Sequence, residues 1–248
     1  MFEARDLTLS WDGATEVVRG LSLSVDAGET VCVVGRSGTG KTTLLHALAG
    51  LTRPMRGSVV LDGRNITGCP GHVAYMLQKD LLLPSERVID NVCLPLTLRG
   101  ASRDEARAIA LPLLERFGLK GAEDAWPREL SGGMRQRAAF LRTHLMGAEV
   151  MLLDEPFSAL DAITRSELRG WFVQMADELG LSALIITHDV DEALICGDRV
   201  LVLAGAPKQG RPSAIVGEVA CAHADAPGED FSLTPEFAAA KRRILDVL

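Results

Sequence analysis

The sequence lacks the features of membrane-spanning, secreted and metal-stabilised proteins. No apolar run approaches the ~20 residues that a transmembrane helix needs. Residues 1–6 contain neither the basic nor the apolar region of a secretory signal, so none is expected. The five cysteines form no C-x-x-C pair, which indicates reduced thiols in a cytosolic protein rather than a disulfide framework or a zinc site. Any membrane role must therefore come through a partner.

Positive charge is also scarce. The 26 lysines and arginines are outnumbered by 33 aspartates and glutamates, and the net charge is −7. Proteins that bind nucleic acid or anionic membranes usually carry a basic surface, so we expect no nucleic-acid partner. The chain has no internal repeats, and 47% of its 248 residues are apolar. This is enough for one large domain, or for a core with an inserted subdomain.

The most informative stretch is a glycine-rich segment between a predicted strand and a predicted helix. It fits the pattern G-x-x-x-x-G-K-T, which is typical of a phosphate-binding loop. The matching residues are Gly35, Arg36, Ser37, Gly38, Thr39, Gly40, Lys41 and Thr42, followed by Thr43. The apolar run 31–34 before the segment predicts a buried strand, and the helical segment after it ends at Gly50. An ordinary glycine turn is the alternative, but the length of the motif and its flanks favour a phosphate loop.

Each residue type in this segment suits a triphosphate. Gly35, Gly38 and Gly40 can take positive φ and so let backbone N–H groups face an anion at a helix N-terminus. Lys41 adds positive charge for the β- and γ-phosphates, and the hydroxyl of Thr42 is a ligand for Mg²⁺. The sequence therefore predicts binding of a nucleoside triphosphate such as ATP.

Asp154 and Glu155 follow a second predicted buried strand, at residues 150–153. Ligands of open parallel sheets bind at this end of the strands. One carboxylate suits Mg²⁺, and the other can take a proton from an attacking water. Because successive strand side chains point to opposite faces, the two need not compete for one metal. A solvated strand end is the alternative, and the phosphate loop makes it the weaker one.

The order of predicted elements indicates an α/β P-loop fold. Two antiparallel strands, at residues 2–10 and 16–25, precede the phosphate loop, and strands then alternate with helices, as in a parallel sheet. Helical spacing interrupts this alternation. The predicted units are an α/β core of residues 1–78 and 143–205, an inserted helical subdomain of residues 79–142, and a C-terminal extension of residues 206–248 with a weak strand near 215–219 and a closing helix from residue 235.

Ser131, Gly132 and Gly133 begin a predicted helix inside the inserted subdomain. Ser131 is a good N-cap, and the two glycines expose the first backbone N–H groups. A capped helix start is one interpretation. A second phosphate cradle is the other, because this helix N-terminus resembles the first one electrostatically. One chain cannot easily fold both cradles onto the same nucleotide.

These motifs together resemble those of the ATP-binding cassette (ABC) ATPases. The segment from Ser131 to Gln136 resembles the family's signature motif, and the similarity extends from about Leu7 to about Leu203. The other motifs follow in the family's order: Gln78 (Q-loop), Asp154 and Glu155 (Walker B and catalytic glutamate), Ser158–Asp161 (D-loop) and His188 (H-loop). The resemblance implies a RecA-like core and two copies stacked head to tail. Each ATP would lie between one phosphate loop and the other copy's signature motif, which includes Gln136.

The resemblance also implies catalytic roles. Glu155 would be the general base, and His188 would hold the γ-phosphate and the attacking water. Thr42 and Asp154 would bind Mg²⁺. Gln78 would contact Mg²⁺ or the water and signal the presence of the γ-phosphate to the helical subdomain. Taken alone, Gln78 is more typical of a polar strand end and His188 of a solvated turn.

Two further residues gain a role from the resemblance. Asp161 would bridge the two copies, and it can also be the N-cap of the helix that begins at Ala162. Trp11 would stack on adenine, although a packing role suits a single tryptophan nearly as well.

Several stretches resemble the nitrate/sulfonate/taurine import branch of the family, namely residues 82–92, 154–162 and 187–193. Two others, 75–80 and 137–142, are similar to members assigned to thiamine-precursor pyrimidines. The branch often has tryptophan where this chain has Ser85. The resemblance implies the ATP-hydrolysing subunit of an importer, peripheral at the cytoplasmic face of the membrane. Its partners would be a second copy, an integral permease that contacts groove residues such as Leu81, Leu82 and Leu83, and, indirectly, a periplasmic or lipid-anchored solute-binding protein.

Three other kinds of protein share parts of the pattern. Soluble ABC proteins that act on DNA or ribosomes usually have a long coiled-coil insertion or tandem cassettes, and the sequence has neither. A P-loop kinase or nucleotide switch would leave the signature motif and His188 unexplained. An exporter subunit would carry the same motifs, and only the resemblance to the nitrate/sulfonate/taurine branch favours an importer.

Overall fold

The computed structural model describes residues 1–221 and 231–248. The strands are β1 (Phe2–Ser10), β2 (Glu16–Val25), β3 (Thr30–Val34), β4 (Arg56–Leu61), β5 (Arg64–Asn65), β6 (Ala74–Met76), β7 (Val150–Asp154), β8 (Ser182–Thr187), β9 (Arg199–Ala206) and β10 (Arg211–Ala220). The helices are α1 (Lys41–Leu48), α2 (Val88–Leu98), α3 (Arg103–Arg116), α4 (Gly132–His144), α5 (Ala162–Leu179), α6 (Val190–Cys196) and α7 (Pro235–Val247). None of the helices in these two ranges is both long and apolar enough to cross a bilayer.

The strands form one mixed sheet in the order β5-β4-β1-β2-β10-β9-β3-β8-β7-β6. One end of the sheet is parallel, with β9, β3, β8, β7 and β6 side by side. The antiparallel strands β1, β2 and β4 lie at the other end. Strand β10 joins the two parts, since it pairs antiparallel with β9 and parallel with β2 through Ser213 and Val18. This arrangement confirms the predicted α/β fold class.

The central strands are buried on both faces, which explains their continuous apolar runs. All the residues of β3, β7 and β8 are buried. Val31 and Val33 point to the layer formed by α1 and the antiparallel strands. Cys32 and Val34 point to the opposite layer, which contains α2 to α7. This rigid sheet places the loops after β3, β7 and β8 at one edge, as expected where parallel strands end together.

The inserted helices contain two features that the sequence did not predict. Helix α2 has Pro95 in its interior and packs against α3 and α4. Helix α4 runs through residue 142 to His144, so the predicted subdomain limit falls inside it. The division of the chain into subdomains stays a prediction. Strand β10 is longer than the predicted 215–219, and residues 222–230 of the C-terminal extension lie outside the described residues.

Candidate nucleotide-binding site

The phosphate loop connects β3 to α1 through two left-handed glycines. Gly38 and Gly40 have φ angles of 86° and 92°. A β-carbon at Gly40 would overlap Cγ1 of Val17 on β2. Gly35 does not adopt a positive φ. Glycine is required there for space, because a β-carbon would lie 2.5 Å from the carbonyl oxygen of Leu203.

The N-terminus of α1 is open towards the loop. Gly40 is its N-cap, no side chain caps it, and its first turn has no acidic residue. Lys41 is buried, and its Nζ donates to the carbonyls of Gly35 at 2.8 Å and Arg36 at 3.1 Å. Burial lowers the pKa of Lys41, and the charges of the two carboxylates at the end of β7 oppose that change. A fixed cation beside an uncapped helix N-terminus is suited to a phosphate group.

The remaining loop side chains differ in what they contact. The hydroxyl of Thr39 is turned inward and donates to the carbonyl of Arg36 at 2.9 Å, so it shapes the loop. The side chains of Arg36 and Ser37 are exposed at its mouth. Thr43 accepts a hydrogen bond of 3.1 Å from Nε1 of Trp11, whose indole is 49% exposed. This contact holds an accessible aromatic ring at the first turn of α1.

Asp154 ends β7 and is buried, with the hydroxyl of Tyr75 3.4 Å from its Oδ2. Burial and the neighbouring charge of Glu155 raise the pKa of Asp154, whereas hydrogen bonds from Thr42 and Tyr75 lower it. The Thr42 contact joins the phosphate loop to this carboxylate. Sequence reasoning missed Tyr75, because its position opposite Leu152 depends on the pairing of β6 with β7.

Glu155 leaves the sheet in a left-handed conformation, with φ of 45°, and its N–H donates to the carbonyl of Ile186 on β8 at 2.8 Å. The expectation that strand alternation separates the two carboxylates was therefore wrong, since Glu155 lies beyond the strand. Nδ1 of His188 is 3.1 Å from its Oε1. Nε2 of Gln78 is 3.3 Å from its Oε2 and 3.2 Å from the hydroxyl of Ser158. Each carboxylate oxygen of Glu155 therefore has a neighbouring nitrogen.

The signature residues lie against the D-loop of the same chain. The hydroxyl of Ser131 caps α4 by accepting from the N–H of Met134 at 3.3 Å. β-Carbons at Gly132 and Gly133 would each lie 3.0 Å from a side-chain atom, of Leu160 and Thr164 respectively. Asp161 caps α5 by accepting from the N–H groups of Ile163 and Thr164 at 3.2 and 3.1 Å. Both glycines thus allow α4 to approach this loop closely.

Gln136 faces the protein interior. It is buried, and its Nε2 donates to the carbonyl of Pro156 in the turn after Glu155. This hydrogen bond links α4 to the turn that follows Glu155.

Part of the phosphate loop and the start of α4 line two separate cavities. The phosphate loop borders a cavity of about 600 Å³ together with the turn between β9 and β10. Ser131 and Gly133 line a cavity of about 220 Å³ with Thr164 and Glu167. In the part of the chain that the structure describes, the two cavities share no lining residue. The structure thus brings Gln78, His188 and the two carboxylates together, but it leaves Ser131 in a different cavity from the phosphate loop.

A buried carboxylate lies beneath the His188 turn. Glu192, in the first turn of α6, is 2% exposed and shares a side-chain hydrogen bond with Thr187. Burial raises the pKa of Glu192 to about 7, and the charge of Asp189 adds to the rise. Arg165 and Arg169 of α5 lower it. This group therefore titrates near neutral pH.

Known proteins resemble this chain in sequence and in fold. Residues 18–158 match the family model described as ABC transporter. The chain is 38% identical over 205 residues to the formylaminopyrimidine import ATP-binding protein ThiZ of Halalkalibacterium halodurans, which covers 83% of this chain and 80% of that protein. It is 42% identical over 232 residues to the taurine import ATP-binding protein TauB of Sinorhizobium fredii, which covers 91% and 85%.

A solved structure is also similar. It is described as the dimeric post-hydrolysis state of the ATP-binding cassette MJ0796 bound to ADP and Pi. The TM-score is 0.73 at 27% identity, over 89% of this chain and 98% of that one.

The raised pKa of Glu192 predicts a specific pH dependence of stability. Between the ordinary glutamate pKa of 4.5 and the native value of about 7, the native state retains a proton that the unfolded chain has released. The free energy of unfolding therefore falls as pH rises through this window, by up to about 3 kcal/mol from this group. Glu192→Gln removes the ionisation, so its stability relative to the parent should rise from pH 5 to pH 8 in urea unfolding. Glu236→Gln, at an exposed site, is the control, and parallel curves for Glu192→Gln and the parent would contradict the assignment.

Proposed function

The chain belongs to the ABC transporter family, and on that premise we propose that it is the ATP-hydrolysing subunit of an importer whose permease is a separate polypeptide. The contact that carries the proposal is that of Glu155 with His188 and Gln78, beside the phosphate loop. ATP binding would close two copies and hydrolysis would reopen them. The related import proteins suggest nitrate-, sulfonate- or taurine-like solutes, or pyrimidine precursors.

Glu155 is the proposed general base for hydrolysis. Its left-handed backbone directs the carboxylate away from β7, and the side chains of His188 and Gln78 hold the two oxygens. A carboxylate fixed in this way can take a proton from the water that attacks the γ-phosphate. His188 also holds the γ-phosphate once ATP is bound, while Lys41 and the N–H groups of α1 stabilise the negative charge.

The residues around Asp154 fit Mg²⁺. The hydroxyl of Thr42, the carboxylate of Asp154 and the amide oxygen of Gln78 are all hard oxygen donors. The pKa of Asp154 is raised partly by the charge of Glu155, and a divalent cation would relieve that repulsion. When bound, Mg²⁺ neutralises charge on the β- and γ-phosphates. Thr42 and Asp154 would hold it, and Gln78 would contact it from the edge of the helical insertion.

A second copy is proposed to complete each site. Within one chain, Ser131 and Gly133 line a cavity separate from that of the phosphate loop. A head-to-tail pair would bring the N-terminus of α4 from one copy to the γ-phosphate held by the other. Asp161, at the N-terminus of α5, would then bridge the copies, and Trp11 would stack on the adenine. Related cassettes have been solved as dimers.

The groove between β6 and the helices α2 and α4 is the proposed permease site. It encloses about 410 Å³ and is lined mainly by apolar side chains, among them Tyr75, Leu77, Leu81, Leu94, Leu98 and Met146. Leu98 is 78% exposed and Leu81 is 51% exposed. Exposed apolar surface of this kind commonly marks an interaction site, and it suits an amphipathic helix of an integral permease. The subunit would then lie peripherally at the cytoplasmic face, with a solute-binding protein acting indirectly.

Replacement of the general base tests the hydrolytic assignment. Glu155→Gln keeps the shape of the side chain but removes its basicity, so the turnover of ATP should fall by roughly 10²–10⁴-fold. The affinity for ATP should be almost unchanged, because Lys41 and the phosphate loop are intact. Steady-state phosphate release and equilibrium nucleotide binding provide the two measurements. Turnover equal to that of the parent would exclude Glu155 as the base.

The shared site is tested at Ser131. Ser131→Arg places a bulky charge at the N-terminus of α4, which should prevent ATP-driven dimers but leave ATP binding by the single chain intact. In the Glu155→Gln background, where dimers should accumulate, size-exclusion chromatography with ATP measures the effect. Ser102→Arg removes the N-cap of α3 in the same way and serves as the control. Normal dimers of the Ser131 variant would rule out the two-copy site.

The permease groove is tested by capture from membranes. Leu98→Glu should reduce the amount of integral permease that co-purifies with the tagged chain, because a charge would have to be buried in an apolar contact. Leu233→Glu, at a similarly exposed leucine that does not line the groove, should have no effect. Equal recovery with both variants would exclude the groove. The solute is identified by mass spectrometry of what the associated binding protein carries.

A further inference from the structure

Leu81 has an unusual backbone conformation at the edge of the groove. Its φ is 45°, in the left-handed region that disfavours branched side chains, and its side chain is half exposed. It follows Gln78 by three residues in the connection between β6 and α2. A strained residue in such a place persists only where the surroundings hold it.

Arg142, near the end of α4, provides that hold. Its Nη1 donates to the carbonyl of Leu81 at 2.8 Å, and its Nη2 donates to the carbonyl of Asp80. One planar guanidinium therefore fixes two successive peptide groups, and so restricts the φ and ψ angles between them. Burial lowers the pKa of Arg142, and the charge of Asp80 opposes that change.

Other contacts tie the same segment to its surroundings. The carboxylate of Asp80 accepts from the N–H of Leu82 at 3.1 Å and lies 3.4 Å from Nε of Arg135, also on α4. The amide of Asn91, buried on α2, accepts from the N–H of Leu83 at 2.6 Å and donates to its carbonyl at 3.1 Å. Leu81 thus lies between segments fixed to α4 and to α2.

Arg142 acts at the opposite end of the helix that Ser131 begins. We propose that Arg142 is a positioning residue, which keeps Leu81 in its left-handed conformation and makes the segment after Gln78 move as one body with α4. A displacement of the groove would then change the position of Gln78 and of Ser131 together. This inference depends on the proposed function, because it gives those two residues their roles at the nucleotide.

The test uses the full-length chain and its ATPase activity. Arg142→Met should lower kcat by roughly 3- to 30-fold, the usual size of effects transmitted through intervening residues. The KM for ATP should change by less than about twofold, because the phosphate loop is untouched. Arg142→Lys keeps the charge but loses the two-carbonyl contact, and it provides the same test with less disturbance to folding.

Arg107 offers a matched control. Its guanidinium, on α3, donates to both carboxylate oxygens of Asp90 on α2, and it neither lines the groove nor contacts the segment after Gln78. Arg107→Met should therefore leave kcat within about twofold of the parent, although it also removes a two-point guanidinium contact.

Substitution of Leu81 separates positioning from a merely structural role. Leu81→Gly relieves the left-handed strain, whereas Leu81→Ala removes nearly the same side-chain atoms and keeps it. Glycine, but not alanine, should restore most of the kcat lost in Arg142→Met. An unchanged kcat in Arg142→Met, or equal recovery with glycine and alanine, would overturn the inference. Glu155→Gln in the same assay shows which proposal has failed. If Glu155→Gln is inactive, the proposed ATPase function stands and only the role of Arg142 is excluded. If Glu155→Gln retains the activity of the parent, the proposed function itself is wrong.

Discussion

The site depends on an electrostatic arrangement at one helix terminus. Helix α1 begins at Gly40 without a side-chain cap, and its partial positive charge faces the phosphate loop. Lys41 adds a full charge that is held by two carbonyls rather than by a carboxylate. The parallel sheet then brings Asp154 and Glu155 to the same edge. The site therefore combines positive charge for an anionic ligand with two carboxylates that suit a cation.

The sequence predicts what local chemistry determines and misses what long-range pairing determines. The continuous apolar runs of β3 and β7, the phosphate loop and the caps of α4 and α5 all follow from short patterns, and the structure has them. The contact of Tyr75 with Asp154 depends on strands separated by more than seventy residues. The turn at Glu155 and the role of Arg142 depend on hydrogen bonds to backbone carbonyls, which leave no signal in residue types.

Helix α4 connects features that are distant in the sequence. Ser131 lies at its first turn, Gln136 reaches the turn after Glu155, and Arg142 holds Leu81 near its last turn. Its thirteen residues span about 20 Å, which is comparable to the distance between two functional surfaces of a small domain. Because its inner face packs in the core, we expect it to move as a rigid body. Helix α4 thereby links the position of Ser131, at the proposed nucleotide site, to the position of Leu81, at the groove.

The pairing of β10 has a consequence for the integrity of the whole sheet. This strand lies between β9 of the parallel part and β2 of the antiparallel part, although it is the last strand in the chain order. Without it, β9 would present unsatisfied amide and carbonyl groups along a newly exposed margin, a template for self-association, and the single pair with β2 would be lost. On the ribosome, the two halves can therefore be joined only after β10 has been synthesised. Any nascent or truncated form that lacks β10 is expected to need protection from aggregation.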